Sequence, residues 1–88
     1  MSWNVRVTKT AEKFLLRMQK ADRERVKDAL KEIRENPFAG DIVWLKDQKS
    51  DLRRRTGNWR ILFSLDTENK IVWIEDIDRR TTTTYKKN

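Results

Sequence analysis

"SDLRRRTGNWRILFSLD", residues 50–66, places three consecutive arginines before a turn and a fourth arginine after it. Beyond the turn, apolar side chains occupy every second position, which predicts a strand with one buried face. These side chains are Trp59, Ile61, Phe63 and Leu65. Gly57 and Asn58 are typical of the tight turn of a β-hairpin. The stretch therefore predicts two antiparallel strands.

The chain before this hairpin changes from strand to helix. Residues 2–7 alternate apolar and polar side chains, as in a half-buried strand. Apolar residues then recur at helical spacing in two sets: Ala11, Phe14, Leu15 and Met18, and Val26, Ala29, Leu30 and Ile33. One bent helix would show the same periodicity, but we predict a helical hairpin that turns at residues 20–22. Asp22 is expected to cap the second helix, and Asn36-Pro37 to end it.

The remaining segments complete an α+β fold. Residues 41–47, "DIVWLKD", predict a short strand or an ordered edge, and residues 66–70 predict a turn. Residues 71–77, "IVWIEDI", predict a last strand whose run from Ile71 to Ile74 is apolar on both faces, as in a sheet interior. We predict the order β-α-α-β-β-β, with the helical hairpin packed on one face of a small, mostly antiparallel sheet. Residues 1–88 are predicted to form a single domain, because no repeat or linker interrupts them.

Composition limits the possible functions. The 88 residues include no cysteine, so disulfides and thiolate metal sites are excluded. No segment resembles a membrane span or a signal peptide, and we expect a cytoplasmic protein with no membrane partner. The formal net charge of +7 favours an anionic partner, although a soluble surface alone can also carry such a charge.

The basic residues are concentrated in residues 45–60 and 79–88. In a strand, Arg53 and Arg55 point to one face, ~6 to 7 Å apart, and Arg54 points to the other. Arg60 lies opposite in phase to the apolar positions of its own strand, so we expect it on the face that the helices leave open. We expect Arg79 to be exposed around the same open surface. The alternative is that these arginines form surface ion pairs, and the candidate partners are Asp51, Asp66 and Glu75.

Other conspicuous residues favour structural roles. The acidic residues of "EDID", 75–78, suggest a metal site, but strand alternation turns Asp76 and Asp78 away from Glu75. We therefore predict neither a metal nor a cofactor. Three tryptophans lie in apolar alternations and are predicted to be core residues, whereas the environment of a fourth, Trp44, stays open. The three are Trp3, Trp59 and Trp73.

The ordered set of segments resembles the RelE/ParE superfamily of toxin–antitoxin modules. The resemblance rests on "WLKDQKSDLRRRTGNWRILFSLD" (44–66) followed by "IVWIEDIDRRTTTTY" (71–85). "AEKFLLRM" (11–18) and "KDALKEIRENP" (27–37) match the family's helical hairpin. The resemblance implies a RelE-like fold. Members similar to RelE cut mRNA in the ribosomal decoding site, and members similar to ParE poison DNA gyrase.

The resemblance also implies residue roles. Arg60 matches an arginine that contacts the scissile phosphate, Arg79 matches one proposed to protonate the leaving oxygen, and Tyr85 matches a tyrosine that stacks on or orients a base. Further basic residues are predicted to bind RNA: Lys46, Lys49, Arg53, Arg55, Arg80 and Lys86. The sequence departs from the family at two positions. Asp51 replaces a lysine proposed as general base, and Asp78 replaces the usual histidine.

The chemistry available to the chain favours RNA cleavage by the substrate's own 2′-hydroxyl. No histidine is present, and the usual parts of serine, cysteine or zinc mechanisms are missing. Arginines suit a reaction in which the protein only orients the RNA and neutralises developing phosphate charge. Together with this chemistry, the resemblance implies a metal-independent, ribosome-dependent mRNA endoribonuclease that contacts 16S rRNA and is neutralised by an acidic antitoxin. The alternative is a non-enzymatic, ParE-like inhibitor of gyrase or another target.

Overall fold

The computed structural model describes residues 2–45 and 50–79 of the chain. In these residues, two helices follow the first strand and precede the remaining strands. The elements are β1 (Asn4–Val7), α1 (Lys9–Arg17), α2 (Lys20–Glu35), β2 (Ile42–Trp44), β3 (Leu52–Thr56), β4 (Trp59–Asp66) and β5 (Ile71–Arg79). The predicted α+β class is confirmed, and the segment predicted as a short strand or an ordered edge forms β2.

The strands form one sheet in the order β1-β5-β4-β3-β2. β1 runs parallel to β5, and the other neighbouring pairs are antiparallel. The sheet is therefore mostly antiparallel, as predicted, with β1 and β2 at its edges.

The hairpin predicted from the arginine-rich stretch is formed by β3 and β4, in which Thr56 lies opposite Trp59. Gly57 has a φ of 59°, and Asn58 does not share this left-handed conformation. A single positive φ at the first central position defines a type II′ turn, which glycine adopts without strain. Because the turn fixes the register of the two strands, it places Arg55 directly opposite Arg60.

Both helices pack on one face of the sheet, which we call the helix face. The buried apolar side chains come from both layers: Ala11, Leu15, Met18, Val26, Ala29 and Ile33 from the helical segment, and Leu52, Trp59, Ile61, Phe63, Val72, Ile74 and Ile77 from the sheet. Phe14 and Leu30 are partly buried against this core. The core positions predicted from helical spacing are therefore confirmed.

The turn between the helices lies earlier than predicted. α1 ends at Arg17. Met18 follows with an extended backbone, and its side chain is buried in the core. Gln19 occupies the N-cap of α2 without a side-chain hydrogen bond, and Asp22 lies inside the first turn instead of capping it. The turn comes earlier because burial of Met18 brings the chain back to the sheet before the predicted cap. Asp22 can still stabilise the helix through its macrodipole.

One predicted core tryptophan is exposed. Trp59 is buried and Trp3 is partly buried against the core, as predicted, but Trp73 is 38% exposed. Trp73 stands between the buried Val72 and Ile74 and therefore points to the other face of the sheet. The prediction that residues 71–74 face a covered layer on both sides is wrong, because both helices pack on the same face.

A β-bulge interrupts the pairing of β4 with β5. Leu62 lies opposite Asp76, whereas Phe63 lies opposite Ile74, so Glu75 is the additional residue. A bulge breaks strict alternation along its strand and redirects the neighbouring side chains. The bulge therefore changes where the acidic residues at the end of β5 point.

The structure also tests whether a helix could cross a membrane. Among residues 2–45 and 50–79, neither helix is long and apolar enough to do so.

Candidate functional site

The sheet face opposite the helices, which we call the open face, carries the predicted arginines. Arg53 lies opposite Leu62 and Arg55 lies opposite Arg60, and their side chains are half-buried. Arg54 is buried on the helix face. The predicted separation of Arg53 and Arg55 from Arg54, and the position of Arg60 away from the apolar face, are thus confirmed.

Arg55 and Arg60 face each other directly across the β3–β4 hairpin. Like charges opposite one another destabilise a sheet unless another group compensates them. Each arginine has one carboxylate beside it. Arg55 Nε donates to Asp41 Oδ2 at 3.1 Å, and Arg60 Nη2 lies 3.6 Å from Asp78 Oδ2. Together with Arg53, the cluster retains one net positive charge, which favours an anionic ligand.

A cavity of about 230 Å³ opens beside this cluster, and we call it the arginine cavity. It is lined by Leu45, Arg53, Arg60, Leu62 and Asp78. The Nε atoms of Arg53 and Arg60 are buried and have no hydrogen-bond partner within the described part of the chain. Buried donors without partners are costly, and a phosphate oxygen accepts strong, charge-assisted hydrogen bonds from guanidinium groups. The geometry therefore suits a phosphate group.

Arg54 has a different environment on the helix face. Its Nη2 donates to Glu32 Oε1 of α2, and its side chain is only 10% exposed. The guanidinium also covers Gly40, where an added Cβ would lie 2.6 Å from Arg54 Cζ. Arg54 therefore joins β3 to α2 and to the loop before β2, which is a structural role.

The acidic partners of the arginines differ from those predicted. Asp51, Asp66 and Glu75 are the candidate partners under the ion-pair alternative, but each of them accepts hydrogen bonds elsewhere. The donors are Leu65 N to Asp51 at 3.0 Å, Asn69 to Asp66 at 2.9 and 3.2 Å, and Ser50 Oγ to Glu75 at 2.6 Å. The observed partners are Asp41 for Arg55 and Asp78 for Arg60. Strand pairing brings these carboxylates beside the arginines, although they are distant in the sequence.

The Asp66–Asn69 contact closes the turn between β4 and β5. The side-chain amide of Asn69, and then its backbone N–H, hold the pKa of Asp66 below its ordinary value. This turn lies at the opposite end of β4 from Arg60. The lowered pKa of Asp66 is therefore a consequence of the turn, away from the arginine cluster.

Arg79 does not share the open face with Arg60. It lies opposite Trp59 at the end of β5, and its Cζ is 5.6 Å from the centroid of the Trp59 ring. Because Trp59 points to the helix face, Arg79 approaches from that side. The expectation that Arg60 and Arg79 surround one open surface is therefore wrong. Arg79 lies two residues after the buried Ile77 on β5, so both side chains point to the same face of the sheet.

Five other predicted site residues lie outside the described part of the chain. They are Lys46, Lys49, Arg80, Tyr85 and Lys86. Their predicted roles in RNA binding and, for Tyr85, in catalysis stay predictions.

A second cavity, of about 540 Å³, lies at the β-bulge, and we call it the bulge cavity. It is lined by Thr8, Thr10, Ser50, Leu62, Glu75, Asp76 and Asp78. The prediction that alternation separates Asp76 and Asp78 from Glu75 is wrong, because the bulge brings all three to this cavity. No group of acidic side chains in the described residues is arranged to hold a metal ion. Leu62 and Asp78 line both cavities, so the two are adjacent.

Trp44, whose environment the sequence left open, lies at the end of edge strand β2. It is 60% exposed and stacks on Phe38, with ring centroids 6.0 Å apart. The pair forms an aromatic patch at the edge of the sheet, outside the arginine cavity.

Comparisons with known proteins agree with the fold. Residues 5–83 match the sequence profile of a family described as the ParE toxin of the type II toxin–antitoxin system parDE. The match covers Arg53, Arg55, Arg60 and Arg79 and ends before Tyr85. No curated protein sequence matches the chain at a significant level.

Several solved structures are similar to this chain. The archaeal RelE–RelB complex from Pyrococcus horikoshii OT3 matches with a TM-score of 0.80 and 23% identity, over 93% of this chain and 99% of that one. The RelBE2 toxin–antitoxin complex from Mycobacterium tuberculosis matches with a TM-score of 0.79 and 24% identity, over 91% and 100%. The isolated RelE toxin from E. coli matches with a TM-score of 0.66 and 17% identity, over 91% and 86%. At these identities the structures establish a shared RelE-like fold.

Proposed function

Because the chain belongs to the ParE toxin family of type II toxin–antitoxin systems, we propose how it acts: it is a toxin that cuts mRNA on the ribosome. The observation that carries this proposal is the pair of arginines facing each other across the β3–β4 hairpin. Two guanidinium groups held together on an exposed sheet face favour a bound phosphate, and the buried Nε atoms of Arg53 and Arg60 supply unpaired donors to it.

The proposed reaction relies on the substrate for its nucleophile. The 2′-hydroxyl of the RNA attacks the adjacent phosphorus, and Arg60 stabilises the negative charge that develops on the phosphate oxygens. Arg53 and Arg55 hold the backbone on either side. The ribosome supplies the bent mRNA conformation that the attack requires. On this proposal the isolated protein binds RNA weakly and cleaves it poorly.

Arg79 and Tyr85 keep the roles that the resemblance implies only as predictions. The contact of Arg79 with the Trp59 ring gives it a structural explanation. Lys46, Lys49, Arg80 and Lys86 are proposed to add further contacts with mRNA or 16S rRNA, since phosphate contacts of this kind provide affinity without sequence preference.

A second function deserves a test because the matching family is described as the ParE toxin. On this alternative the open face binds a protein target such as DNA gyrase, and no nucleic acid is cleaved by the toxin itself. The same arginines would then form interface ion pairs.

A translation reaction with a defined, end-labelled mRNA separates the two functions. We expect cuts within codons that require ribosomes and leave 5′-hydroxyl ends. A parallel reaction contains gyrase and supercoiled plasmid. Intact mRNA together with gyrase-dependent DNA breaks would reject the nuclease and support the alternative.

We also propose an acidic antitoxin as the partner. The similar structures from Pyrococcus horikoshii OT3 and Mycobacterium tuberculosis are toxin–antitoxin complexes. The net charge of +7 favours an acidic partner and fast, salt-sensitive association. An association rate that does not change between low and high salt would contradict this electrostatic account.

A further inference from the structure

We propose that Asp78 is the general base that takes the proton from the 2′-hydroxyl. This inference rests on the proposed nuclease function and deepens it. The chain has no histidine, so the usual base for such a reaction near neutral pH is absent. A carboxylate beside the phosphate-binding arginines can replace it.

Three carboxylates lie near the open-face arginines, and their positions show which of them can act as the general base. Asp51 accepts a hydrogen bond from Leu65 N and does not line the arginine cavity. Asp41 is bonded to Arg55 next to edge strand β2. Asp78 is the carboxylate that lines the arginine cavity among the residues the structure describes.

The two preceding acidic residues on β5 each accept a hydrogen bond on one carboxylate oxygen. Glu75 accepts from Ser50 Oγ at 2.6 Å, and Asp76 accepts from Ile77 N at 2.9 Å. Asp78 has only the contact with Arg60, at 3.6 Å, which is longer than a hydrogen bond. Within the described residues, its oxygens therefore remain available to accept a proton.

The placement of Asp78 fits the geometry of the reaction. A phosphate bound by Arg60 in the arginine cavity would have its neighbouring ribose at the boundary with the bulge cavity, which Asp78 also lines. The Asp78 side chain is 45% exposed, so substrate can reach it. The bulge cavity, at about 540 Å³, lies in the size range of small-molecule sites and can hold the attached nucleoside.

The step conserves atoms and electrons. Asp78 accepts the 2′-hydroxyl proton while the 2′ oxygen forms a bond to phosphorus, and the bond from phosphorus to the 5′ oxygen breaks. The leaving 5′ oxygen takes a proton from water, and Asp78 then returns its proton to solvent. The products are a 2′,3′-cyclic phosphate and a 5′-hydroxyl end.

The test compares Asp78→Asn with Asp51→Asn in single-turnover cleavage of ribosome-bound mRNA across a pH series. Asp51 lines neither cavity, and an asparagine there keeps an oxygen for the Leu65 N–H. The charged groups that face Asp78 are Arg60 on β4, Arg53 on β3, and Asp76 and Glu75 on β5. The arginines stay protonated throughout the pH series. A fall in the cleavage rate at acidic pH therefore reports the protonation of carboxylates.

We expect Asp78→Asn to lower the cleavage rate roughly 10²- to 10⁴-fold and to abolish the fall in rate at acidic pH. Asp51→Asn should keep that fall and a rate within about threefold of wild type. Asp78→Asn should bind a 2′-deoxy mRNA analogue at least as tightly as wild type, because a negative charge beside the phosphate is removed. Asp78→Glu, which restores a carboxylate, should recover part of the rate.

The outcomes separate this inference from the proposed function. If wild type cleaves mRNA and folded Asp78→Asn cleaves it at a similar rate, Asp78 is not the base and the nuclease stands. If Asp78→Asn loses rate only in proportion to lost analogue binding, Asp78 merely supports Arg60 and the inference fails. If Asp78→Asn does not fold, Asp78→Ser takes its place, and a folded Asp78→Ser variant that keeps the wild-type rate and the fall at acidic pH overturns the inference. If wild type does not cleave ribosome-bound mRNA, both proposals are rejected.

Discussion

The two faces of strand β3 carry the same residue type in opposite environments. On the helix face, Arg54 is buried, bonded to Glu32 and packed against Gly40. On the open face, Arg55 stands opposite another arginine, half-exposed, with a carboxylate at its side. Consecutive arginines in a strand therefore do not share one role. Alternate side chains point to opposite faces of the sheet, so one arginine supports the fold and its neighbour is available to a ligand.

The energetic consequences of the two environments also differ. Arg54 loses hydration on folding, and the bond to Glu32 with close packing compensates part of this loss, since its Nε and Nη1 have no hydrogen-bond partner in the described residues. Arg55 and Arg60 repel each other in the free protein and gain stability when an anion lies between them. Substitutions on the helix face should therefore change stability, and substitutions on the open face should change activity.

The largest effect is expected from Arg60→Ala. Loss of a guanidinium that stabilises transition-state charge should lower mRNA cleavage on ribosomes by about 10²- to 10³-fold. The free energy of unfolding should change by less than about 1 kcal/mol, because Arg60 lies on the open face and its ion pair with Asp78 is long. Cleavage assays and denaturant titration measure the two quantities.

Arg60→Lys serves as the matched control for charge. A lysine keeps the positive charge but lacks the planar pair of donors, so we expect it to restore only a small part of the activity. Loss of cooperative unfolding in Arg60→Ala would show that the open-face arginine is structural and would remove the contrast between the two faces.

Arg54→Ala should have the converse effect. Removal of the buried guanidinium leaves a void against Gly40 and should lower the free energy of unfolding by about 2 kcal/mol. Cleavage per folded molecule should stay close to wild type. Glu32→Gln should cost less than about 1 kcal/mol, because the Glu32 side chain is 63% exposed.

Gly40→Ala sharpens this test. Gly40 has a φ of 88°, and the new Cβ would overlap the Arg54 guanidinium, so we expect a loss of about 1–2 kcal/mol. In an Arg54→Ala background the overlap disappears and only the backbone strain is left. Additive losses in the double variant would mean that Arg54 does not contact Gly40 as described.

A smaller effect is expected from Arg55→Ala in binding of short single-stranded RNA by the isolated protein. Removal of one phosphate contact should reduce the slope of log Kobs against log salt by about 0.7 to 1. Arg54→Lys, on the other face, should leave the slope unchanged. An equal reduction in both variants would contradict the assignment of the open face as the RNA-binding surface.

The smallest effect is expected at the far end of β4, where Asn69 binds Asp66. Since folding lowers the pKa of Asp66, this contact stabilises the protein at neutral pH, and the stabilisation is lost as the pH falls below about 4. Asn69→Ala should therefore be slightly less stable than wild type at pH 7 and nearly equal to it in acid. A difference that grows in acid would reverse the expected sign.

The sequence predicts the fold well because local patterns determine it. Alternation and helical spacing place the core and put Arg53, Arg55 and Arg60 on the open face. The acidic partners depend on pairing between distant strands, which no local pattern specifies. Asp41 reaches Arg55 only because β2 pairs with β3. Residues 41–47 predict a short strand or an ordered edge, but not the strand with which it pairs.

The bulge explains most of what the sequence misses at the site. A single additional residue, Glu75, brings acidic side chains to one cavity that strict alternation would separate. The expectation that Arg79 shares the open surface is wrong for a different reason. Arg79 lies two residues after Ile77, and alternation counted from this apolar residue predicts the helix face for Arg79 from the sequence alone.

The most direct test of the two-face account is NMR of the arginine Nε–Hε groups during titration with a short single-stranded RNA. Weak binding in fast exchange suits this method. The account predicts that the signals of Arg53, Arg55 and Arg60 shift together and saturate at one RNA concentration, while the Arg54 signal stays in place. A shift of Arg54 without the open-face arginines, or no shift of Arg60 at saturating RNA, would contradict it.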